Sequence, residues 1–266
     1  MQIPTVAELH AKGEKPELLY WVGCAASFDQ RAQRTARALA TIFTRAGIRF
    51  AILAQEESCT GDPARRAGNE FLFQMMALKN IQTLNQYGIQ TIVTSCPHCF
   101  NTLKNEYPAL GGQYEVWHHT QYLYRLIREG RISLKPATAE ALQSVTYHDS
   151  CYLGRGNGIY DAPRDILQAL QMKIVEMAHH RSRGMCCGAG GAQMWKEEEK
   201  GQTRVNIART QEALATGSRT IAAACPFCNT MLYDGLKHAG KEEEVQVKDI
   251  AELVAEHLAS DPTVGG

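Results

Sequence analysis

Nine cysteines, Cys24, Cys59, Cys96, Cys99, Cys151, Cys186, Cys187, Cys225 and Cys228, are the residues of this sequence best suited to chemistry. An odd count in a chain without an export signal is poor material for a disulfide framework, because cytosolic thiols are kept reduced. Metal or redox chemistry is the leading reading, against the plainer one that free cysteine is often a small buried hydrophobe. The spacing favours chemistry. From Cys24 to Cys59 is 35 positions, from Cys59 to Cys96 is 37, and Cys99 closes a CxxC; from Cys151 to Cys186 is 35, from Cys187 to Cys225 is 38, and Cys228 closes another.

Three chemistries compete for such thiolates. Structural zinc takes four ligands, usually from two CxxC pairs, whereas each series here has one CxxC and the Cys186–Cys187 pair offers a fifth thiolate. Thiol-disulfide exchange suits CPHC and CPFC, each following a strand and opening a helix with Pro97 or Pro226 near its first turn, but it leaves five cysteines unused. Iron-sulfur binding uses all nine, since several irons lift the limit of a single tetrahedron. The run GAGG after Cys187 (Gly188, Gly190, Gly191) would let backbone N–H groups approach sulfide. Ferredoxin spacing, with three cysteines in one C-x2-C-x2-C run, is absent.

The elements that must position these residues repeat as well. SCPHCFNTL (95–103) matches ACPFCNTML (224–232), and SCTG (58–61) sits where CCGAGG (186–191) stands, so the chain reads as an internal duplication with halves at residues 1–135 and 136–266. The join falls in 129–144, with a short helix from Ala137 to Gln143 as the other reading of that stretch. In the first half strands are predicted over 18–23, 48–53, 89–94 and 114–117, with helices over 31–46, 65–87 and on to Arg128. In the second half strands over 144–149, 173–177, 219–224 and 245–247 alternate with helices over 163–170, 203–215 and on to Leu258. This alternation makes an α/β fold of two tandem pseudo-symmetric halves, each a small mainly parallel sheet with flanking helices. Every cysteine group then lies past the carboxyl end of a strand, the edge where open α/β sheets bind ligands.

These motifs carry a resemblance. HDSCYLGR (148–155), MCCGAGG (185–191) and ACPFC (224–228) resemble the cysteine-rich CCG domain of the heterodisulfide reductase B/D family. WVGCAASFD, SCTGDPARRAGNE and SCPHCFNTLKNEYP are similar to the corresponding part of iron-sulfur oxidoreductases that work with electron-transfer flavoprotein and quinone, and of sulfur-oxidation complexes. The resemblance implies five cysteines, Cys151, Cys186, Cys187, Cys225 and Cys228, on a noncubane [4Fe-4S] cluster, with Cys186 and Cys187 at the site of thiol or disulfide chemistry and Gly188, Gly190 and Gly191 lining it. The first half departs from the motif: Ser58 is read as standing where the adjacent cysteine is wanted, leaving Cys24, Cys59, Cys96 and Cys99 for an ordinary [4Fe-4S] cubane or a labile cluster, and Ser58→Cys is expected to convert its spectrum. Implied partners are a ferredoxin-type C subunit, a flavoprotein, or a membrane cytochrome passing electrons to quinone.

Composition bounds the rest. Over 266 residues, 28 Lys+Arg balance 28 Asp+Glu, with 44% hydrophobic and 21% charged residues, which gives no footprint for nucleic acid or an anionic membrane face. No apolar run is long enough to span a bilayer and the N-terminus lacks signal-peptide features, so a cytoplasmic protein is expected, membrane-associated only through a partner. LGRGNG (153–158) lacks dinucleotide-loop spacing and reads as a turn. His118 and His119 read as satisfied histidines before proton donors; His98 could tune the first cluster, and His148 has similar status. Phe71, Leu72, Met75 and Met76 read as core, and Lys196 to Lys200 as a solvated helix start.

Overall fold

The computed structural model describes residues 2–135, 144–197 and 201–259. The first half runs α1 (Val6–Ala11), β1 (Leu18–Trp21), α2 (Gly23–Phe28), α3 (Gln30–Arg45), β2 (Phe50–Ala51), α4 (Asp62–Arg66), α5 (Glu70–Gln86), β3 (Thr91–Thr94), α6 (Pro97–Asn101), β4 (Glu115–His118) and α7 (His119–Arg128). The second runs β5 (Ser144–Tyr147), α8 (Asp161–Ala169), β6 (Lys173–Ile174), α9 (Val205–Leu214), β7 (Thr220–Ala223), α10 (Pro226–Ala239), β8 (Gln246–Asp249) and α11 (Ile250–Glu256). Two sheets of four strands, ordered β2-β1-β3-β4 and β6-β5-β7-β8, pair in parallel throughout, as the α/β reading expects.

Strand pairing also fixes the equivalence of the halves. Leu19 pairs with Ile92 and Tyr20 with Val93 in the first sheet; Thr146 pairs with Ile221 and Tyr147 with Ala222 in the second. Parallel strands buried on both faces send alternate residues to opposite sides. Leu18 and Tyr20 of β1, with Val145 and Tyr147 of β5, point into one apolar cluster shared by both halves and filled by α3, α7, α8 and α11. Leu19 and Trp21 point the other way, into a cluster holding Cys96 and Cys99, while Ile221 and Ala223 of β7 enter a third cluster holding Cys187, Cys225 and Cys228. The halves therefore meet through a common core, and each keeps its cysteines on the outer side of its own sheet. His119 Nε2 and Asp249 Oδ1, 2.9 Å apart and fully buried, bind α7 to β8 across the join.

Several expectations are corrected. Strands predicted over 48–53 and 173–177 contract to two residues each. The helix predicted over 65–87 is two, because Gly68 adopts φ +87° and Asn69 then caps α5 by accepting the Leu72 N–H at 3.0 Å. Helices α1 and α2 were not expected from periodicity; both are only six residues long. The stripe Phe71, Leu72, Met75 is not core: these side chains are exposed, Met76 is half-buried, and α5 packs inward through Phe73, Ala77, Asn80, Ile81 and Leu84 instead. The alternative helix Ala137 to Gln143 and the end of the run Lys196 to Lys200 lie outside the described residues. No helix among the described residues is long and apolar enough to cross a membrane.

Candidate metal centres

Four cysteines converge at the carboxyl edge of the first sheet. Cys24 lies in the first turn of α2, Cys59 in the loop after β2, and Cys96 caps α6 with Pro97 at the first helical position, which puts Cys99 in the same turn. Cys24 and Cys59 perturb each other's protonation, as do Cys96 and Cys99, and each pair also feels the other's charge. With thiols packed this closely, one sulfur is favoured as thiolate at its neighbours' expense: the Cys24 thiol donates to Cys59 and holds it down at about 7, while Cys24 and Cys99 are pushed up. A residue missed in the sequence braces this site. Glu57 accepts the Gly23 and Val22 N–H groups at 2.5 and 3.0 Å, fixing the start of α2, and burial lifts its carboxyl to about 7 against those two donors. Only its place two residues before Cys59 could have drawn notice.

Five sulfurs converge at the second sheet. Cys151 touches Cys186, Cys186 touches Cys187, Cys187 and Cys228 stand 3.3 Å apart, and Cys228 contacts Cys225, the cap of α10. Here Cys186 is the favoured thiolate, held well below the ordinary thiol range by hydrogen bonds from Cys151 and Cys187, and Cys151, Cys187 and Cys228 are pushed up. Gly188 donates its N–H to Cys186 Sγ at 3.3 Å, and its φ of +93° is a conformation that side chains resist. Gly191 is also left-handed, at φ +66°. A methyl carbon at Gly190 would stand 3.9 Å from His98 Cε1 and 4.0 Å from Cys151 Sγ, so that glycine faces the site. Sulfur-only donor sets of four and five, mostly buried and with their protons in conflict, fit iron-sulfur clusters; a zinc tetrahedron would leave one thiolate of the second set over.

The duplicated geometry relocates the missing ligand of the first half. Gly61, at φ +90°, donates its N–H to Cys59 Sγ at 3.5 Å, as Gly188, at φ +93°, does to Cys186. Cys59 therefore corresponds to Cys186, and Thr60 to Cys187. Thr60 is as buried as Cys187, and its Oγ1 lies 3.9 Å from Cys99 Sγ where Cys187 meets Cys228. Ser58, expected to occupy the vacant position, corresponds instead to Met185, one step outside the motif. The adjacency of SC and CC suggested the wrong register; the glycine in CTG and CCG carries the right one.

The histidines divide sharply. His118 is fully buried and makes a 2.8 Å hydrogen bond with Thr120 at the start of α7, and His119 is taken by Asp249, so both serve the fold. His98 belongs in sequence to the first CxxC but faces the second site. It stacks on Tyr152 at 4.1 Å, meets Phe227 edge-on at 5.5 Å, and shares a 2.9 Å hydrogen bond with Asp62. Burial disfavours its charge, but Asp62 and the facing Cys225 and Cys186 raise it above the ordinary value. The sequence suggests His98 beside the first cysteine group alone; in the structure its ring packs on Tyr152 and Phe227 of the second half. LGRGNG is a turn, tied to the first half where Asn157 meets Asn105 and Asn101.

Residues 18–104 and 145–233 each match the CCG family, described as a cysteine-rich domain. The chain belongs to this family. It is 46% identical over 266 residues to the Bacillus subtilis protein named "Probable iron-sulfur-binding oxidoreductase FadF", covering 99% of this chain and 37% of that one. It is 44% identical to the EtfAB:quinone oxidoreductase of Syntrophomonas wolfei, covering 91% of this chain and 34% of the relative. It is 34% identical to one subunit of the dihydromethanophenazine:CoB–CoM heterodisulfide reductase of Methanosarcina barkeri, covering 92% of this chain and 60% of that subunit. The chain thus spans little more than a third of the first two of these relatives. Among solved structures, aspartate racemase from Picrophilus torridus aligns over 90% of this chain at 9% identity and a TM-score of 0.35, a likeness too slight to carry an argument.

Proposed function

We propose that this chain is the two-cluster electron-transfer and thiol-handling part of an iron-sulfur oxidoreductase. The observation that carries this reading is the convergence of all nine cysteines into one four-sulfur and one five-sulfur group, joined through His98. Membership of the CCG family and relatives named iron-sulfur oxidoreductases support it. In this reading residues 1–135 hold a cubane [4Fe-4S] cluster through Cys24, Cys59, Cys96 and Cys99, and residues 136–266 hold a noncubane one through Cys151, Cys186, Cys187, Cys225 and Cys228. Bound clusters supply one-electron carriers, and the second also supplies an iron open to sulfur.

The chain's own residues do the rest. Gly61 and Gly188 offer backbone N–H groups to Cys59 and Cys186, which lowers the cost of keeping negative sulfur away from water. Gly190 keeps its side of the second site clear of a side chain while Gly188 and Gly191 supply the left-handed turns around it, and Cys186 and Cys187 present the sulfur beside which a thiol or disulfide would react. Reducing a disulfide takes two electrons and two protons and yields two thiols; the electrons would come one at a time through the first site from a flavoprotein, a ferredoxin-type subunit or a membrane cytochrome. The relative named EtfAB:quinone oxidoreductase supports a flavoprotein and quinone on the electron path.

Anaerobic purification followed by iron, sulfide and zinc counts tests the assignment. About eight irons are expected, four for each [4Fe-4S] site, together with a paramagnetic signal that shifts on adding thiol and disappears in Cys187→Ser. About four irons with no response to thiol would reduce the chain to a relay, and zinc without iron would overturn the proposal.

A further inference from the structure

Two buried ring nitrogens occupy equivalent places, one in each half, and neither has a partner among the described residues. His148 follows β5 and Trp21 ends β1, and they are 127 positions apart, as are Cys151 and Cys24. The strand registers agree: Tyr20 and Tyr147, one residue earlier, pair with the equivalent residues Val93 and Ala222. Strand alternation turns both side chains away from the shared core and toward the cysteine side. Trp21 joins the apolar cluster of Cys96 and Cys99. A ring nitrogen of His148 lies within 4.8 Å of the sulfurs of Cys187 and Cys228. Both side chains are fully buried, and neither Trp21 Nε1 nor His148 Nε2 has a hydrogen-bond partner among the described residues.

His148 with two cysteines resembles a ligand triad, but Arg209 decides against ligation. Arg209 is fully buried, and its Nε–H donates to His148 Nδ1 at 3.0 Å. A guanidinium cannot accept a hydrogen bond, so Nδ1 must present its lone pair and the ring proton must sit on Nε2. Were Nε2 to bind iron, the proton of the neutral ring would move to Nδ1 and face the Arg209 donor. Arg209 is itself held by Glu212 Oε2 at 2.7 Å and by the His179 carbonyl at 2.8 Å, so it cannot readily turn aside.

We infer that His148, through Nε2–H, and Trp21, through Nε1–H, are paired donors to cluster sulfur, one at each site, with Arg209 the positioning residue that fixes the His148 tautomer. The inference rests on the two-cluster reading above. Hydrogen bonds to the sulfurs raise a cluster's reduction potential by stabilising the extra negative charge of the reduced state. An unpartnered buried N–H is costly, and an acceptor sulfur at each site relieves that cost in both halves by the same device.

Three measurements on the anaerobically purified holoprotein test it. With nitrogen-15 in histidine, electron-nuclear double resonance of the second cluster should show a weak nitrogen coupling and a proton coupling lost in heavy water; the large coupling of a directly bound nitrogen would overturn the inference. His148→Leu should lower the second cluster's midpoint about tenfold in reduction equilibrium, near 59 mV for one electron, while His148→Gln, which keeps an amide N–H, stays close to the parent. Trp21→Phe should lower the first cluster's midpoint alone, with iron unchanged. Should His148→Leu fail to fold, the labelling and the Trp21 variant still decide. A parent protein without iron defeats the two-cluster reading itself; iron retained with unmoved midpoints defeats only this inference.

Discussion

Thr60→Cys should turn the four-sulfur site into a five-sulfur one. The residue is already in position: buried, following Cys59, preceding a glycine at φ +90°, with its hydroxyl 3.9 Å from Cys99 Sγ. Cysteine is no larger than threonine, so the exchange adds a thiol without crowding the core. The Thr60 carbonyl accepts from Tyr107 Oη at 3.2 Å, a backbone contact the substitution leaves intact. The expected result is a first-cluster spectrum moving to the shape of the second, with iron per chain unchanged. Ser58→Cys is the discriminating control. Ser58 shows only its carbonyl to a partner, Asn80 Nδ2 at 3.5 Å, and its hydroxyl has no hydrogen bond to a cysteine, so that variant should leave both spectra as they are. The reverse outcome, conversion by Ser58→Cys and none by Thr60→Cys, would restore the register suggested by adjacent cysteines. The chemical stake is the role of the first half: a four-cysteine site suits relay, whereas two five-cysteine sites would make two equivalent places for sulfur to bind.

What was legible in the sequence follows from which signals are periodic and which are local. Strand and helix alternation, the duplication and the nine cysteines are all repeat signals, and each led to the right architecture, because a parallel sheet turns strand order into shared location at one edge. What failed was local in one respect and long-range in another. Gly68 broke a helix that hydrophobic periodicity ran straight through, and the exposed Phe71 and Met75 read as core because moderate apolar spacing does not say which face meets the sheet. The Thr60 position is visible as CTG against CCG, but Ser58 beside Cys59 offers a competing register, and it is the N–H to sulfur contacts that distinguish them. His98 could not be assigned from its motif, since the half it faces is decided by packing between the sheets. His148 is the subtler case: its place three residues before Cys151 was visible, yet the tautomer that separates donor from ligand depends on Arg209, 61 residues further on.

Arg164→Met should be strongly destabilising. Arg164 is almost fully buried on α8 and grips Asp149 with two hydrogen bonds of 2.8 Å, while Nε and Nη2 reach Glu176 at 2.7 and 2.9 Å and Nη1 reaches the Tyr160 carbonyl at 2.9 Å. Asp149 stands between His148 and Cys151, and it also accepts the Arg181 N–H at 2.6 Å, so this carboxylate ties the exit of β5 to the segment leading into Cys186. Removing the arginine leaves a buried charge without its partner, a change that costs about 3–5 kcal/mol, whereas Glu176→Gln touches a half-buried carboxylate and should cost about 1 kcal/mol or less. The pH dependence identifies the cause. Burial alone would raise the Asp149 carboxyl, but the Arg164 hydrogen bonds and charge hold it below its ordinary value. A depressed folded-state acid contributes stability that is complete above the unfolded value, about 3.9, and is lost as pH falls through the folded value. In Arg164→Met the arginine's lowering effect is lost while desolvation and the Arg181 N–H remain, so Asp149 takes up a proton at higher pH than in the parent. The gap in urea midpoint between parent and variant should therefore be full at neutral pH and narrow as pH falls through the carboxylate range. A gap independent of pH would assign the loss to the packing of the arginine stem and its contact over Tyr147, 5.1 Å from the ring centre, and remove the ion pair from the account.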